Sequence, residues 1–157
     1  YQWQRTGSSF SMSNLTAAML LAQLQETDSV NYRRGELWQH YREIFGNISS
    51  FEKYFSLPPV PPDFDDFNAH IFFIKGQTSE ISLQLHDLLN NAGISARFHY
   101  APLHESPFGK QFSGDCPIIS IESKCLLRMP LFYGMNYNQI KKISAILQKS
   151  LKKIILK

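Results

Sequence analysis

Four prolines within six residues, between Leu57 and Pro62, constrain the fold of this chain more than any other feature. Proline has no backbone N–H and fixes its own φ angle, so this segment can form neither a helix interior nor a central strand. We therefore predict an extended linker here. The linker divides the chain into a long helical region, residues 1–56, and a mixed region of helices and strands, residues 57–157.

The region before the linker has the residue spacing of helices. Ser13 is predicted as an N-cap, because its hydroxyl can accept a hydrogen bond from a free amide of the first turn. Apolar residues follow it at helical spacing. We predict one long helix, or two helices broken near Thr27–Ser29, with the last turn ending at Gly46 and Asn47.

The region after the linker alternates between strand and helix patterns. Aromatic and β-branched residues predict strands at His70–Lys75 and Ile94–Tyr100. Between them, Ser79 is predicted to cap a helix at Glu80–Asn91, with Gly93 as its left-handed C-terminal residue.

The rest of the chain is predicted as a loop over residues 101–118, a short helix at Glu122–Leu127, an extended stretch at Arg128–Phe132 and a last helix. Asn136 and Gln139 have the spacing of a capping box. The apolar face of the last helix is predicted to consist of Ile140, Ile143, Leu147, Leu151 and Ile154. The sum is an α+β fold, with a small, mainly antiparallel sheet and helices packed on one side.

Composition excludes several classes of protein. Hydrophobic residues make up 43% of the chain, with 12 Phe and 7 Tyr, unlike the composition of disordered chains. No apolar run reaches the ~20 residues of a membrane span. The net charge of +3 comes largely from lysines near the C-terminus, which suit the solvent face of a helix better than a nucleic-acid surface. Two cysteines are too few for a disulfide framework, and we expect a cytoplasmic protein without membrane or nucleic-acid partners.

The densest polar and aromatic cluster is Phe98–His104, at the predicted end of a strand where a loop begins. Side chains at such places commonly form binding sites. The alternative is structural: His99 and Tyr100 would alternate across a sheet, with one ring buried and hydrogen-bonded. A metal site would need more ligands than His99 and His104 offer.

The segment Gly7–Ser13 is rich in Gly and Ser directly before a helix N-terminus. Such a segment can bind phosphate through exposed amides and the positive end of the helix dipole. It lacks the Gly-Lys-Ser/Thr ending of a P-loop. On the residues alone, an ordinary capped helix start is the favoured explanation.

Four blocks of the chain together resemble the DegT/StrS family of sugar-nucleotide aminotransferases. The stretch from Gly7 to Leu24 is similar to the family's "GxNYRMSELQAAIGLAQL" signature. The others are Asn68-Ala69-His70 entering an aromatic strand, the segment Phe98–His104, and the segment Arg128–Phe132. These resemble the "HxFxI", "HYxPLH" and "LPLF" blocks in the same order, and the resemblance covers essentially the whole chain.

The resemblance implies the C-terminal small domain of a fold type I aminotransferase. Family membership implies pyridoxal 5'-phosphate held by a lysine of a large N-terminal domain, and amino transfer from glutamate to a dTDP-4-keto-6-deoxy sugar. It further implies a homodimer with shared active sites, and a role in lipopolysaccharide or enterobacterial common antigen synthesis. No lysine here lies in a segment like the family's cofactor motif, so we expect a C-terminal part, inactive alone, whose large domain precedes Tyr1.

The resemblance also assigns roles to individual residues. Ser9 aligns with an Asn that lies near the cofactor phosphate in the family. In the family, the "HYxPLH" block lies over the active site. His99, Tyr100 and His104 are therefore the candidates for binding the sugar nucleotide or the amino donor. Two alternatives remain: a stand-alone, non-catalytic binding module of the same fold, and a small basic nucleic-acid-binding protein, which would show strongly salt-dependent affinity.

Overall fold

The computed structural model describes residues 10–64, 67–112 and 114–155. The helices are α1 (Asn14–Gln25), α2 (Thr27–Gly46), α3 (Ser79–Asn91), α4 (Pro117–Cys125) and α5 (Tyr137–Ile155). The strands are β1 (Phe55–Ser56), β2 (Phe72–Gly76), β3 (Arg97–Phe98) and β4 (Leu126–Met129). Two short 3₁₀ turns, Leu103–Glu105 and Gly109–Gln111, lie between β3 and α4.

The first helix begins and the second ends where the sequence predicts, whereas the break between them comes just before the predicted Thr27–Ser29, which belong to α2. Ser13 caps α1, because its hydroxyl accepts a hydrogen bond from the amide of Thr16 at 3.2 Å. The chain breaks at Glu26, and α2 then runs to Gly46. No residue of α1 is buried, whereas α2 buries Trp38, Tyr41 and other large side chains.

The four strands form one antiparallel sheet in the order β1-β2-β4-β3. In the central pair, Phe72 lies opposite Met129 and Ile74 lies opposite Leu127. These four side chains are buried and share one face of the sheet. Core residues of α2, α3 and α5 pack against them, which confirms the predicted α+β fold with helices covering one side.

Aromatic rings dominate the centre of this core. Phe72 stacks on Tyr41, with 4.8 Å between the ring centroids. Trp38 and Phe45 meet Phe72 edge-on at 5.5 and 5.9 Å. The α2 residues before the proline segment therefore share one core with strands that follow it.

The proline segment is neither helix nor strand, as predicted. It lies against the protein, since Pro58 is buried and its carbonyl accepts a hydrogen bond from Arg42. The division of the chain into a helical region, 1–56, and a small domain, 57–157, stays a prediction.

The predicted strands are longer than the observed ones. β2 begins only at Phe72, because Asn68 accepts a hydrogen bond from the amide of His70 at 3.2 Å and Ala69 has a φ of 44°, so the chain turns there. β3 is limited to two residues because Ile94 still bonds back to Leu89 at the end of α3. Gly93 has the predicted left-handed φ, 81°.

Two other boundaries are corrected. The N-cap of α3 is Thr78 rather than Ser79, since the Thr78 hydroxyl accepts from the amide of Ile81 at 3.3 Å. The predicted helix at 122–127 is displaced: α4 starts at Pro117, a favoured first helical residue, and Leu126 already belongs to β4. Pairing with β2 extends the backbone there.

The last helix agrees with its prediction in both cap and face. The amide of Asn136 donates to the Gln139 side chain at 2.8 Å, and the amide of Gln139 donates to the Asn136 side chain at 3.0 Å. Four of the five predicted face residues are buried and the fifth is partly buried: Ile140, Ile143, Leu147, Leu151 and Ile154.

Within the described ranges, no helix is both long and apolar enough to span a membrane.

Candidate functional site

A cleft of about 350 Å³ lies where β3 ends, between α3 and α4. Phe98, His99 and Tyr100 line it from the strand end. Leu83 of α3 and Lys124 of α4 line the facing walls. The sequence-predicted pair His99 and Tyr100 is therefore brought to one cavity, with an apolar wall on one side and a cation on the other.

Ring contacts hold the strand end in place. Phe98 stacks on His86 with 4.9 Å between ring centroids, and the His99 and Tyr100 rings lie 5.5 Å apart. The Arg128 guanidinium lies over the Tyr100 ring, 5.1 Å from its centroid, a favourable cation–π distance. His99 and Tyr100 are both exposed, so neither is the buried ring of the structural alternative.

His104 is positioned separately from this pair. It lies in the first 3₁₀ turn, and its Nε2 atom is 2.8 Å from the Ser120 hydroxyl on α4. The neighbouring Glu105 lines the cleft. The hydrogen bond from Ser120 lowers the pKa of the Glu105 carboxyl, and the positive charge of Lys124 adds to the effect. The His104 imidazole and the Glu105 carboxylate therefore both interact with the Ser120 hydroxyl.

Ser9, the predicted cofactor-phosphate contact, lies outside the described residues. Of the Gly- and Ser-rich segment before α1, Ser13 is described, and it acts as a helix cap.

Sequence reasoning missed four residues around the cleft: Glu105, Ser120, Lys124 and Arg128. Ser120 lies 16 residues from His104, and no local pattern links the two. Arg128 had a detectable signal, because it opens the predicted extended stretch Arg128–Phe132. Its position over Tyr100 depends on the pairing of β3 with β4, which the sequence does not reveal.

Most lysines in the described ranges are exposed. Lys75 is half-buried, and its ammonium is held 2.7 Å from the Glu122 carboxylate. A lysine that forms a covalent bond with a carbonyl cofactor must be desolvated or otherwise activated. The described lysines therefore do not fit the role of a cofactor-binding lysine.

The described residues also show no group of three His, Cys, Asp or Glu side chains that could hold a metal ion. Cys125 is buried and Cys116 is half-buried, and both are free thiols.

Comparison with known proteins identifies relatives of the whole chain. Residues 1–148 match the sequence profile of the DegT/DnrJ/EryC1/StrS aminotransferase family. A curated relative, dTDP-4-dehydro-2,3,6-trideoxy-D-glucose 4-aminotransferase of Saccharopolyspora spinosa, is 26% identical over 140 residues. That alignment covers 88% of this chain and 34% of the relative.

Solved structures have the same fold. PseC of Helicobacter pylori, an aminotransferase involved in pseudoaminic acid biosynthesis, superposes with a TM-score of 0.81 at 20% identity, covering 97% of this chain and 41% of that one. The aminotransferase TlmJ of Streptoalloteichus hindustanus gives 0.77 at 17% identity, covering 89% and 36%. The chain therefore spans about a third to two-fifths of the length of the proteins it matches.

Proposed function

The chain belongs to the DegT/DnrJ/EryC1/StrS aminotransferase family, and from that premise we propose that it is the C-terminal part of a sugar-nucleotide aminotransferase. The family match over residues 1–148 carries this proposal. The cleft at the end of β3 supports it, because apolar, imidazole and charged groups converge there as ligand recognition requires.

The reaction is amino transfer from glutamate to a 4-keto sugar nucleotide. Enzymes of the family use pyridoxal phosphate, which supplies the carbonyl that carries the amino group. The described lysines do not fit as its covalent partner, and we place that lysine in a part of the protein outside this chain. No chemical step is therefore assigned to residues of this chain.

The residues of the cleft serve to bind and orient the substrate. Phe98 and Tyr100 offer aromatic surface to a sugar or base ring, and His99 offers a hydrogen-bonding nitrogen at the same wall. Lys124 supplies positive charge for an anionic ligand. His104 contributes an imidazole held by Ser120.

The substrate is proposed as a dTDP-4-keto-6-deoxy sugar. The paired serines Ser8 and Ser9, together with the segment Phe98–His104, favour the subgroup of dTDP-4-amino-4,6-dideoxygalactose transaminase. Its product serves enterobacterial common antigen and related surface polysaccharides. We further propose a homodimer in the cytoplasm, with Ser9 at the cofactor phosphate of the neighbouring subunit.

Replacing His104 by Ala in the whole protein tests the site. Loss of one hydrogen bond to a charged group costs about 1.5–3 kcal/mol, so kcat/KM for sugar nucleotide or glutamate should fall about tenfold to a hundredfold. Bound cofactor and thermal stability should stay unchanged. His40→Ala, on α2 against Tyr137, is the control histidine. Unchanged kcat/KM for both substrates in His104→Ala would remove His104 from the site.

A second experiment tests the placement of the cofactor lysine. The 157-residue chain should form no bond with pyridoxal phosphate that borohydride reduction fixes on one specific lysine. Visible absorbance that survives dialysis, with one modified lysine found by mass spectrometry, would contradict it.

Because the described lysines do not fit the cofactor role, a second candidate is a stand-alone binding module that keeps the fold without catalysis. The coding sequence upstream of Tyr1 separates the two. A reading frame that continues into a lysine-bearing large domain supports the enzyme, and a stop codon directly upstream supports the module.

A further inference from the structure

A second groove, of about 260 Å³, lies beside the cleft and has a strongly cationic lining. Arg97 of β3 and Arg128 of β4 line it together with His70, which precedes β2. Among the described residues that line it there is no carboxylate. The groove therefore carries two permanent positive charges and an imidazole without an acidic neighbour in its lining.

The two arginines come from neighbouring strands in direct register. Arg97 lies opposite Arg128 in the antiparallel ladder, so their side chains leave the same face of the sheet. Like charges directly opposite each other in a sheet are destabilising. Neither arginine has a carboxylate within ion-pair distance in the part of the chain that the structure describes.

Arg128 is also incompletely hydrogen-bonded. Its Nε atom is buried, and no hydrogen-bond acceptor lies within reach among the described residues. A buried donor without a partner costs free energy, and such an atom in a native structure calls for an explanation. The Arg128 guanidinium lies 5.1 Å from the centroid of the Tyr100 ring, and Arg128 also lines the groove.

An anion in the groove would offset the cost of placing the two arginines side by side. It would neutralise the repulsion between Arg97 and Arg128, and the planar fork of each guanidinium matches the oxygens of a phosphate or carboxylate. One carboxylate requires only one fork. Two adjacent forks and an imidazole fit a ligand that carries several negative charges on neighbouring oxygen atoms, as a diphosphate does.

We propose that this groove binds the diphosphate of a nucleotide ligand through Arg97 and Arg128, with His70 as a third contact. The choice of a nucleotide rests on the proposed function, whereas the anion site rests on the geometry of the two strands. The Tyr100 ring connects the groove to the cleft, because Arg128 touches it from the groove side and the ring itself lines the cleft. One extended ligand can therefore place its charged end in the groove and its ring in the cleft.

The test is a titration of the 157-residue chain with inorganic pyrophosphate at constant ionic strength. The NMR signals of the Arg97 and Arg128 Nε–H groups report binding at the groove. We expect both signals to shift with one saturable affinity. In a parallel titration, 2-oxoglutarate should bind at least about tenfold more weakly, since its two carboxylates are separated by a carbon chain.

Matched substitutions localise the site. Arg97→Gln removes an exposed cation and should weaken pyrophosphate binding about tenfold to a hundredfold. Arg128→Lys keeps the charge but removes the fork, and should have a similar effect while the chain stays folded by circular dichroism. Lys149→Gln removes an exposed cation of α5 that does not line the groove, and should change the affinity less than twofold.

Several results would overturn the proposal. One is that the Arg97 and Arg128 signals do not shift. Another is that Lys149→Gln weakens pyrophosphate binding as much as Arg97→Gln does. A third is that 2-oxoglutarate binds more tightly than pyrophosphate. The ligand assignment is also wrong if the 157-residue chain binds pyrophosphate but the whole protein does not, because a carboxylate from the rest of the protein occupies the groove. The titration needs neither cofactor nor amino transfer, so its failure leaves the proposed enzyme activity standing. If the whole protein binds pyrophosphate but transfers no amino group, the anion site is supported and the proposed enzyme activity is contradicted.

Discussion

Helices α1 and α5 both carry many apolar residues but meet different surroundings. α5 concentrates its apolar side chains on one face and buries that face against the core. α1 buries no residue, and its leucines at 15, 21 and 24 are 74%, 58% and 59% exposed. Leu20 and Leu21 are adjacent and so point to different faces. A helix that is apolar on several faces is normally covered by other protein.

The loop around the cleft resembles α1 in this respect. Large apolar side chains between β3 and α4 are exposed, among them Leu103, Phe108 and Phe112, and so is Ile118 in the first turn of α4. Clusters of exposed apolar side chains on a protein surface usually mark a binding surface. The comparison indicates that the core of α2, α5 and the sheet is complete within this chain, whereas α1 and the loop need cover from elsewhere.

Matched leucines measure the contrast between the two helices most directly. Leu147→Ala in α5 removes a fully buried side chain and should lower the free energy of unfolding by about 2–5 kcal/mol. Leu21→Ala in α1 should change it by less than about 0.5 kcal/mol. Urea denaturation followed by circular dichroism gives both values. A similar loss for the two variants would mean that α1 is packed in solution.

The exposed faces of α1 predict self-association of the chain. We expect oligomers by analytical ultracentrifugation at high concentration. Fully burying one leucine is worth about 1.5–3 kcal/mol, so changing Leu15, Leu21 and Leu24 to Gln should weaken the association at least about a hundredfold. Leu83→Gln, an exposed leucine of α3, is the control. A clean monomer of the unmodified chain would contradict the expectation.

Within the core, Tyr41 connects α2 to the segment after β4. Its hydroxyl donates a hydrogen bond to the carbonyl of Pro130 at 2.7 Å. Tyr41→Phe leaves that carbonyl unpaired and should cost about 1–3 kcal/mol at neutral pH. Tyr32→Phe, at an exposed position of the same helix, should cost nothing measurable. Equal losses for the two variants would mean that the hydrogen bond adds no stability.

The contribution of Tyr41 to stability also depends on pH. Burial raises the pKa of Tyr41 far above its usual value of 10.0. Above about pH 10 the Tyr41 hydroxyl loses its proton in the unfolded chain but keeps it in the folded chain. The free energy of unfolding therefore falls as the pH rises. Stability should therefore decline less steeply above pH 10 in Tyr41→Phe than in Tyr32→Phe. Parallel declines would show that Tyr41 ionises in the folded chain as readily as in the unfolded one.

Local signals explain which parts of the fold the sequence predicts correctly. Ser13, the Asn136–Gln139 pair and Gly93 act within one helical turn, and each was placed correctly. The apolar face of α5 repeats over several turns, which makes its period unambiguous.

Long-range pairing explains what the sequence missed. Leu126 and Leu127 continue a helical pattern locally, but pairing with β2 places them in a strand. The order of the strands brings Arg97 beside Arg128, although 31 positions separate them in the chain. The contact of His104 with Ser120 depends on how α4 packs beside the first 3₁₀ turn. None of these neighbours is encoded within a single local segment.

The smallest expected effect concerns the serine at the edge of the cleft. Hydrogen bonding from Ser120 is the main cause of the lowered pKa of Glu105, ahead of the positive charges of Lys124, His104 and Lys110. Ser120→Ala should therefore raise this pKa toward the usual value of 4.5. Because Glu105 is solvent-accessible, we expect no measurable change in the free energy of unfolding.

An NMR titration of the Glu105 carboxyl carbon below neutral pH measures this shift. Ser123→Ala, on the same helix and also at the cleft, should leave the Glu105 pKa unchanged. The direction follows from the charge: a hydrogen bond donated to the carboxylate stabilises its ionised form, so removing the donor makes protonation easier and moves the titration to higher pH. If Glu105 titrates identically in both variants, the three cations set its pKa. Ser120 would then hold His104 in place without affecting the Glu105 carboxylate. The charged side chains of the loop would differ from the polar groups of the core, because hydrogen bonds would not hold them.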